Sequence, residues 1–179
     1  MQMVTLKDKQ FKPYISSDKI EAAVKKVAAQ INSELKNEMP LFIAVLNGSF
    51  MFAADLMKEI NLPCEISFVK LASYHGTEST GKVNELIGLN QDITGRTVVI
   101  VEDIVDTGNT ILKLTEILKS KNVKNLKIAT AFFKPSIYKK DIKIDYVGME
   151  IPNDFVVGYG LDYDGLGRNF KDLLVIAEK

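Results

Sequence analysis

Val98-Val-Ile-Val-Glu-Asp-Ile-Val-Asp-Thr-Gly-Asn-Thr110 runs from an apolar strand through an acidic turn into a helix. Thr97 to Val101 is a continuous apolar run, long enough for a buried strand and too short for a buried helix. Glu102 and Asp103 close that strand with two carboxylates, and Asp106 adds a third. Thr107-Gly108-Asn109-Thr110 then opens a helix, predicted from Ile111, Leu114, Ile117 and Leu118 and closed at Asn122. Free backbone N–H groups at a helix N-terminus, flanked by two Thr hydroxyls, make a cradle for a phosphate. Gly108 lets the backbone approach such an anion with no Cβ in the way. Vicinal carboxylates just ahead of the cradle can accept from two sugar hydroxyls or steer a hydrated Mg²⁺. The combination points to a ribose that carries a phosphate. The bland reading makes Glu102 and Asp103 a solvated strand end and Asp106 a helix cap. Capping alone, however, does not call for two more acids against the strand.

Upstream, Ser17 or Asp18 caps a helix with Glu21 in its first turn, and Ile20, Val24, Val27, Ile31 and Leu35 mark its buried face. Pro40 ends it, and Leu41 to Leu46 is a second buried-strand run. Asn47-Gly48-Ser49 breaks that run before a helical stretch from Phe50 to Ile60, and Glu65 to Ala72 is the next strand. From Ser73 to Arg96 the chain turns polar, which between buried elements marks a functional or mobile segment, or one with a hairpin of its own. Downstream, Leu126 to Phe133, Asp145 to Met149 and Phe155 to Val157 read as strands. Strands alternating with helices indicate an α/β fold with a mostly parallel sheet. Ligands of such sheets bind outside the carboxyl ends of the strands.

The chain has 179 residues, enough for one domain with a real core, and no repeat or linker divides it. Lys plus Arg equals Asp plus Glu at 23 each, whereas a chain gripping nucleic-acid phosphates usually has a basic excess. No nucleic-acid partner is therefore expected. A single cysteine, Cys64, precludes an intrachain disulfide and suits a reducing compartment. No apolar run nears the ~20 residues of a membrane span, and the first residues lack a signal-peptide core. The expectation is a cytoplasmic protein with no membrane partner. Cys64 reads as a small buried hydrophobe and His75, the one histidine, as a solvated loop residue.

The 98–110 stretch resembles the phosphoribosyl-diphosphate motif of type I phosphoribosyltransferases, and its wording is most similar to the hypoxanthine–guanine branch. The resemblance covers roughly residues 10 to 179 in the family's order. It implies the type I phosphoribosyltransferase fold: a mostly parallel sheet flanked by helices, with a small hood formed from the chain ends. The core would span about residues 18–150, and the hood about 1–17 and 151–179, within one domain.

By that resemblance, Glu102, Asp103, Asp106, Thr107, Gly108, Asn109 and Thr110 bind the phosphoribosyl group. Gly48, Ser49 and Arg168 bind pyrophosphate; many relatives carry Lys where this chain has Asn47, which leaves that loop its backbone N–H groups. Ser73-Tyr74 begins a catalytic loop that keeps water from an oxocarbenium-like ribosyl centre. Lys134 reads the purine: an ammonium group only donates, so it suits the O6 of hypoxanthine or guanine and opposes the amino group of adenine. Phe155 stacks on the base, the Val156 backbone meets its edge, and Asp162 serves a Mg²⁺ and the exocyclic edge of guanine. Glu102, Asp103 and Asp162 are the implied Mg²⁺ residues. Asp106 is the implied catalytic residue, beside N7 of the purine.

The implied reaction joins 5-phosphoribosyl diphosphate to a 6-oxopurine, giving IMP or GMP and pyrophosphate in purine salvage. Xanthine stays open as a substrate, since it shares O6. A regulator using the same site to sense a ligand while binding nucleic acid, and a Mg²⁺-dependent phosphatase, are the other classes. The phosphatase reading leaves Lys134, Phe155 and Arg168 unexplained. The resemblance also implies a homo-oligomer, dimer or tetramer.

Overall fold

Where apolar runs are long enough to bury both faces, the chain builds a parallel sheet. The computed structural model describes residues 3–71 and 86–177. Strands β1 (Val4–Leu6) and β2 (Lys9–Ile15) come first, then helix α1 (Ser17–Glu34), β3 (Leu41–Val45), helix α2 (Phe50–Glu59) and β4 (Glu65–Leu71). There follow β5 (Leu86–Ile87), β6 (Thr97–Val105), helix α3 (Asn109–Lys119), β7 (Asn125–Phe133), β8 (Tyr146–Glu150), β9 (Val156–Val157) and β10 (Leu173–Ile176). Six strands form one sheet in the order β5-β4-β3-β6-β7-β8. All its pairings are parallel except β4 with β5, where Lys70 faces Ile87 and Leu71 faces Leu86. The polar stretch after β4 thus does return along its own strand.

All five residues of β3 are buried, as a central strand covered on both faces requires. One side packs against α1 and α2 through Ile20, Val24, Val27, Ile31, Phe52 and Leu56, all buried. The other packs against α3 through Ile111, Leu114 and Leu118. Each such side chain removed from water contributes about 1.5–3 kcal/mol. Truncating a central one, such as Ile31→Ala, costs about 2–5 kcal/mol.

The second sheet is antiparallel, in the order β1-β2-β10-β9, and so joins the two chain ends. Leu6, Phe11, Val157 and Leu174 form its small separate core. This is the expected hood. Its strands are short, and β1 and β2 carry polar residues between apolar ones, so periodicity alone does not announce them.

Three local expectations change. The α1 cap is Ser16, in extended conformation, whose carbonyl accepts from Lys19 and Ile20 at 3.0 and 3.1 Å. The amide of Ser17 instead donates to Asp172 Oδ1 at 2.5 Å, a partner 155 residues away. Next, β6 does not stop at Val101 but pairs with β7 as far as Val105, so Glu102 and Asp103 lie inside the strand. Finally, Phe155 lies just before β9 rather than within it. The remaining boundaries move by a residue or two, and Asn122 follows α3 in a left-handed turn, with φ 54°.

Candidate active site

The site starts where β6 loses its regular alternation. Val99 and Val101 face the α1–α2 side, and Val98 and Ile100 face α3. Ile104 then returns to the α1–α2 side and Val105 to the α3 side, so the phase slips by one residue across Glu102–Asp103. Strand β7 slips alongside it: Ala129 and Ala131 face the first side, and so does Phe132. The two consecutive acids occupy the slip.

Neither acid is solvated as a loop residue would be. Glu102 is 7% exposed, and its Oε2 has no hydrogen-bond partner. Burial, then the Asp103 and Asp106 charges, push its carboxyl well above the ordinary range. Burial also raises Asp103, to about 6, against the opposing pull of the Ile104 N–H and the Arg168 charge. The Ile104 amide donates to Asp103 Oδ1 at 2.8 Å. A buried acid with an unsatisfied oxygen, beside a half-buried one, has places for donors or a cation from outside the chain.

Asp106, by contrast, is exposed and accepts from the Thr107 amide and hydroxyl. It does not cap α3. Gly108 occupies the N-cap in the left-handed region, φ 79°, and its carbonyl accepts the Leu112 amide at 2.9 Å. The amides of Asn109, Thr110 and Ile111 precede that first helical bond and have no partner in the described residues, the arrangement expected of an anion cradle. A Cβ on Gly108 would lie 2.4 Å from the Tyr138 ring and 2.8 Å from the Lys140 stem. A side chain is thus excluded on two counts.

The turn after β3 packs directly on this acidic end. A Cβ on Gly48 would lie 1.6 Å from Asp103 Oδ2, and a Cβ on Gly160 would lie 2.0 Å from the Gly48 carbonyl oxygen. Asp103, Gly48 and Gly160 therefore form three layers in contact, joining the parallel sheet to the hood. Arg168 completes the stack: it donates to the Gly160 carbonyl at 2.7 Å and pairs with Asp162 at 2.6 Å. The Leu46–Asn47 peptide is cis. Ser49 follows in the same turn. It is fully buried at the start of α2 with its hydroxyl unpartnered, so its side chain is not presented to solvent where an anion would bind.

On the other side of Asp106 lies the expected base end. Lys134 follows β7, and its amide bonds to the Val105 carbonyl at 2.9 Å. Its ammonium is largely buried and donates to the Asp154 carbonyl at 2.7 Å. Burial lowers its pKa, while the Asp106 and Asp154 charges act in the opposite direction. An ammonium has three protons, and the chain engages one here. Phe155 is the next residue after Asp154 and is 46% exposed. Val156 is buried and opposite Val175, and the Phe155 carbonyl accepts from Ile176 at 3.0 Å. Asp162 also accepts from the Gly165 amide at 2.7 Å.

Among the described residues no three His, Cys, Asp or Glu side chains are grouped to hold a metal ion. Glu102, Asp103 and Asp162 therefore do not form a closed protein cage. They do fit Mg²⁺ as that ion is ordinarily bound, through one or two carboxylates with substrate phosphates and water completing its shell. The orphaned Glu102 oxygen is the observation that favours such a fit. Ser73, Tyr74 and His75 lie outside the described residues. Cys64 packs against the larger core, and burial pushes its thiol up, consistent with an inert hydrophobe.

Sequence reasoning passed over Gly160, Asp154 and Tyr138, whose roles lie in contacts with distant segments. The Gly158-Tyr-Gly160 run was the available sign of a close backbone approach.

Comparison with known proteins agrees with this layout. Residues 14–164 match the model of the phosphoribosyl transferase domain. The hypoxanthine-guanine phosphoribosyltransferase of Staphylococcus epidermidis is 45% identical over 156 residues, 87% of each chain. That of Bacillus subtilis is 43% identical over 159 residues, 88% of each. The crystal structure of a hypoxanthine-guanine phosphoribosyltransferase from Bacillus anthracis superposes with a TM-score of 0.81 at 37% identity, covering 93% of this chain and 97% of that one. The hypoxanthine phosphoribosyltransferase of Trypanosoma cruzi gives 0.83 at 32% identity, covering 94% and 97%. With its cradle, paired acids and hood in that common arrangement, the chain belongs to the phosphoribosyltransferase family, on the branch of the hypoxanthine-guanine phosphoribosyltransferases.

Proposed function

We propose that this protein transfers the phosphoribosyl group of 5-phosphoribosyl diphosphate to hypoxanthine or guanine, forming IMP or GMP and pyrophosphate for purine salvage. The observation that carries the choice of base is Lys134, a largely buried ammonium held against Asp154 next to the half-exposed Phe155 ring. A donor-only group in that position favours an O6 acceptor and disfavours a 6-amino group.

The free amides at Asn109 and Thr110 receive the 5-phosphate, with the Thr107 and Thr110 hydroxyls beside them. Glu102 and Asp103 accept from the ribose hydroxyls, which gives the orphaned Glu102 oxygen its donor. Arg168 and the backbone at Gly48 take up charge as pyrophosphate leaves. Arg168 can do so by exchanging its pairing with Asp162 for the anion. Glu102, Asp103 and Asp162 are the residues that would hold Mg²⁺, which would supply charge neutralisation for the leaving group. Asp106 directly precedes the cradle and its charge acts on Lys134; its carboxylate accepts the N7 proton or stabilises the protonated base as the glycosidic bond forms. Ser73 and Tyr74 are assigned to water exclusion by family likeness.

The same reading includes a homo-oligomer in the cytoplasm. Its support is the exposure of Ile66 and Phe68 on β4 and of Phe50 on α2, apolar groups that a second copy would cover. No helix among the described residues is long and apolar enough to cross a membrane. The test of the activity is nucleotide formation from 5-phosphoribosyl diphosphate with hypoxanthine, guanine and xanthine in turn, with and without Mg²⁺. Mg²⁺-dependent IMP and GMP formation is expected. Diphosphate left intact with every base contradicts the proposal.

A further inference from the structure

Phe155 does not stand alone in the hood. Its ring centroid lies 6.2 Å from that of Phe11, at 44°, and 5.7 Å from that of Tyr163, at 87°. Phe11 and Tyr163 are themselves 6.0 Å apart, which closes a triangle of three rings. Phe11 is fully buried, whereas nearly half of Phe155 is open. The perpendicular Tyr163 ring therefore restrains how the open ring can tilt.

Tyr163 is in turn held by the turn between β1 and β2. Its hydroxyl donates to Asp8 Oδ1 at 2.7 Å. The Lys9 ammonium sits 5.9 Å from the Tyr163 ring centroid, and Lys7 pairs with the neighbouring Asp164. Three successive residues of one turn thus grip two successive residues of the base segment. Each exposed polar contact is weak in isolation, but two of them converge on Tyr163, which borders Phe155, and the third holds its neighbour Asp164. The sequence separation of 155 residues between Asp8 and Tyr163 hides this brace from any local reading.

We propose that Tyr163, anchored by Asp8, is a positioning residue that sets the orientation of the Phe155 ring and so the fit of the purine base. This rests on the purine-transferase reading above. Removing a perpendicular ring partner weakens alignment by the worth of an aromatic pair, about fivefold in binding. The effect belongs to the base alone, since neither the phosphate cradle nor the Asp103–Gly48–Gly160 stack hydrogen-bonds to Tyr163 among the described residues.

The test compares Tyr163→Leu, Tyr163→Phe and Asp8→Ala with the wild type in steady-state kinetics, varying each substrate separately. The expected result is a KM for hypoxanthine raised about fivefold in Tyr163→Leu and less in the other two, with the KM for 5-phosphoribosyl diphosphate at its wild-type value. Tyr163→Phe and Asp8→Ala should give equal effects that do not add in the double variant, because both remove one hydrogen bond. Asp8→Ala, on an exposed turn, supplies the same split if Tyr163→Leu lowers the thermal midpoint. Unchanged KM for hypoxanthine in all variants, or equal rises for both substrates, overturns the proposal while leaving the activity intact. A wild-type chain that makes no nucleotide overturns both.

Discussion

The carboxyl end of β6 and the hood segment from Asp154 to Arg168 hold their polar groups in opposite ways. The first places two carboxylates inside a paired strand, Glu102 buried with an unsatisfied oxygen and Asp103 half-buried beside it. The second leaves its groups part-open, with Phe155 46% exposed and the Asp162 and Arg168 side chains 28% each. The acidic end is positioned by strand pairing with β7, which continues to Val105 after the β3 pairing has stopped at Val101, whereas the hood end depends on a few long-range contacts. Damage at the first should therefore strike chemistry and folding. Damage at the second should strike recognition of the base.

The largest break in that contrast is expected at Asp106, which projects from the β6 end without being buried in it. Asp106→Asn keeps the size but removes the charge proposed to receive or stabilise the N7 proton. Steady-state assays should show kcat reduced about a hundredfold, with both KM values changed much less. Near wild-type turnover would remove Asp106 from its catalytic role.

Gly160→Ala tests the contact where the two regions meet. Its Cβ would lie 2.0 Å from the Gly48 carbonyl oxygen, on a backbone with φ 95°. Backbone cannot swing aside as a flexible side chain can, so a loss of about 1–3 kcal/mol is expected from strain alone. Thermal melting should register this, and the KM for 5-phosphoribosyl diphosphate should rise because the Gly48 turn is displaced. Gly48→Ala meets instead the Asp103 carboxylate, a side chain able to rotate, and should cost less stability while harming ligand binding.

The smallest effect is a pH dependence confined to the acidic end. Burial raises Asp103 to about 6. A raised carboxyl contributes stability that is present below the ordinary aspartate range near 4 and is lost as pH rises through about 6. On the proposed reading, binding of the Mg²⁺–diphosphate substrate would run the other way, since the ionised form would be the ligand. Affinity measured by calorimetry should therefore increase from pH 5 to pH 7, and Asp103→Asn should flatten that increase. An equal slope in the variant would remove Asp103 as its source.

Most of the parallel sheet was legible because β3, β6 and β7 are apolar runs bounded by abrupt polar turns. The helix start with its free amides was legible too, since Thr107 to Thr110 is contiguous and its geometry is local. Burial of Glu102 and Asp103 was not, because it arises from the continuation of β6 against Ile104 and Val105, residues paired with Phe132 and Phe133 of β7. Ser49 was assigned to pyrophosphate by family likeness, which does not report that its own side chain is fully buried at the start of α2. The hood sheet was implied by family likeness alone. Its Asp8–Tyr163 and Ser17–Asp172 contacts each span 155 residues.

The most direct test of the central claim is the ratio of kcat/KM for hypoxanthine over adenine, measured in the wild type and in Lys134→Gln. A Lys134 ammonium that reads O6 predicts strong preference for hypoxanthine, falling about tenfold or more when a neutral amide with both donor and acceptor replaces it. Equal use of adenine by the wild type, or a preference undiminished by the substitution, would contradict that account.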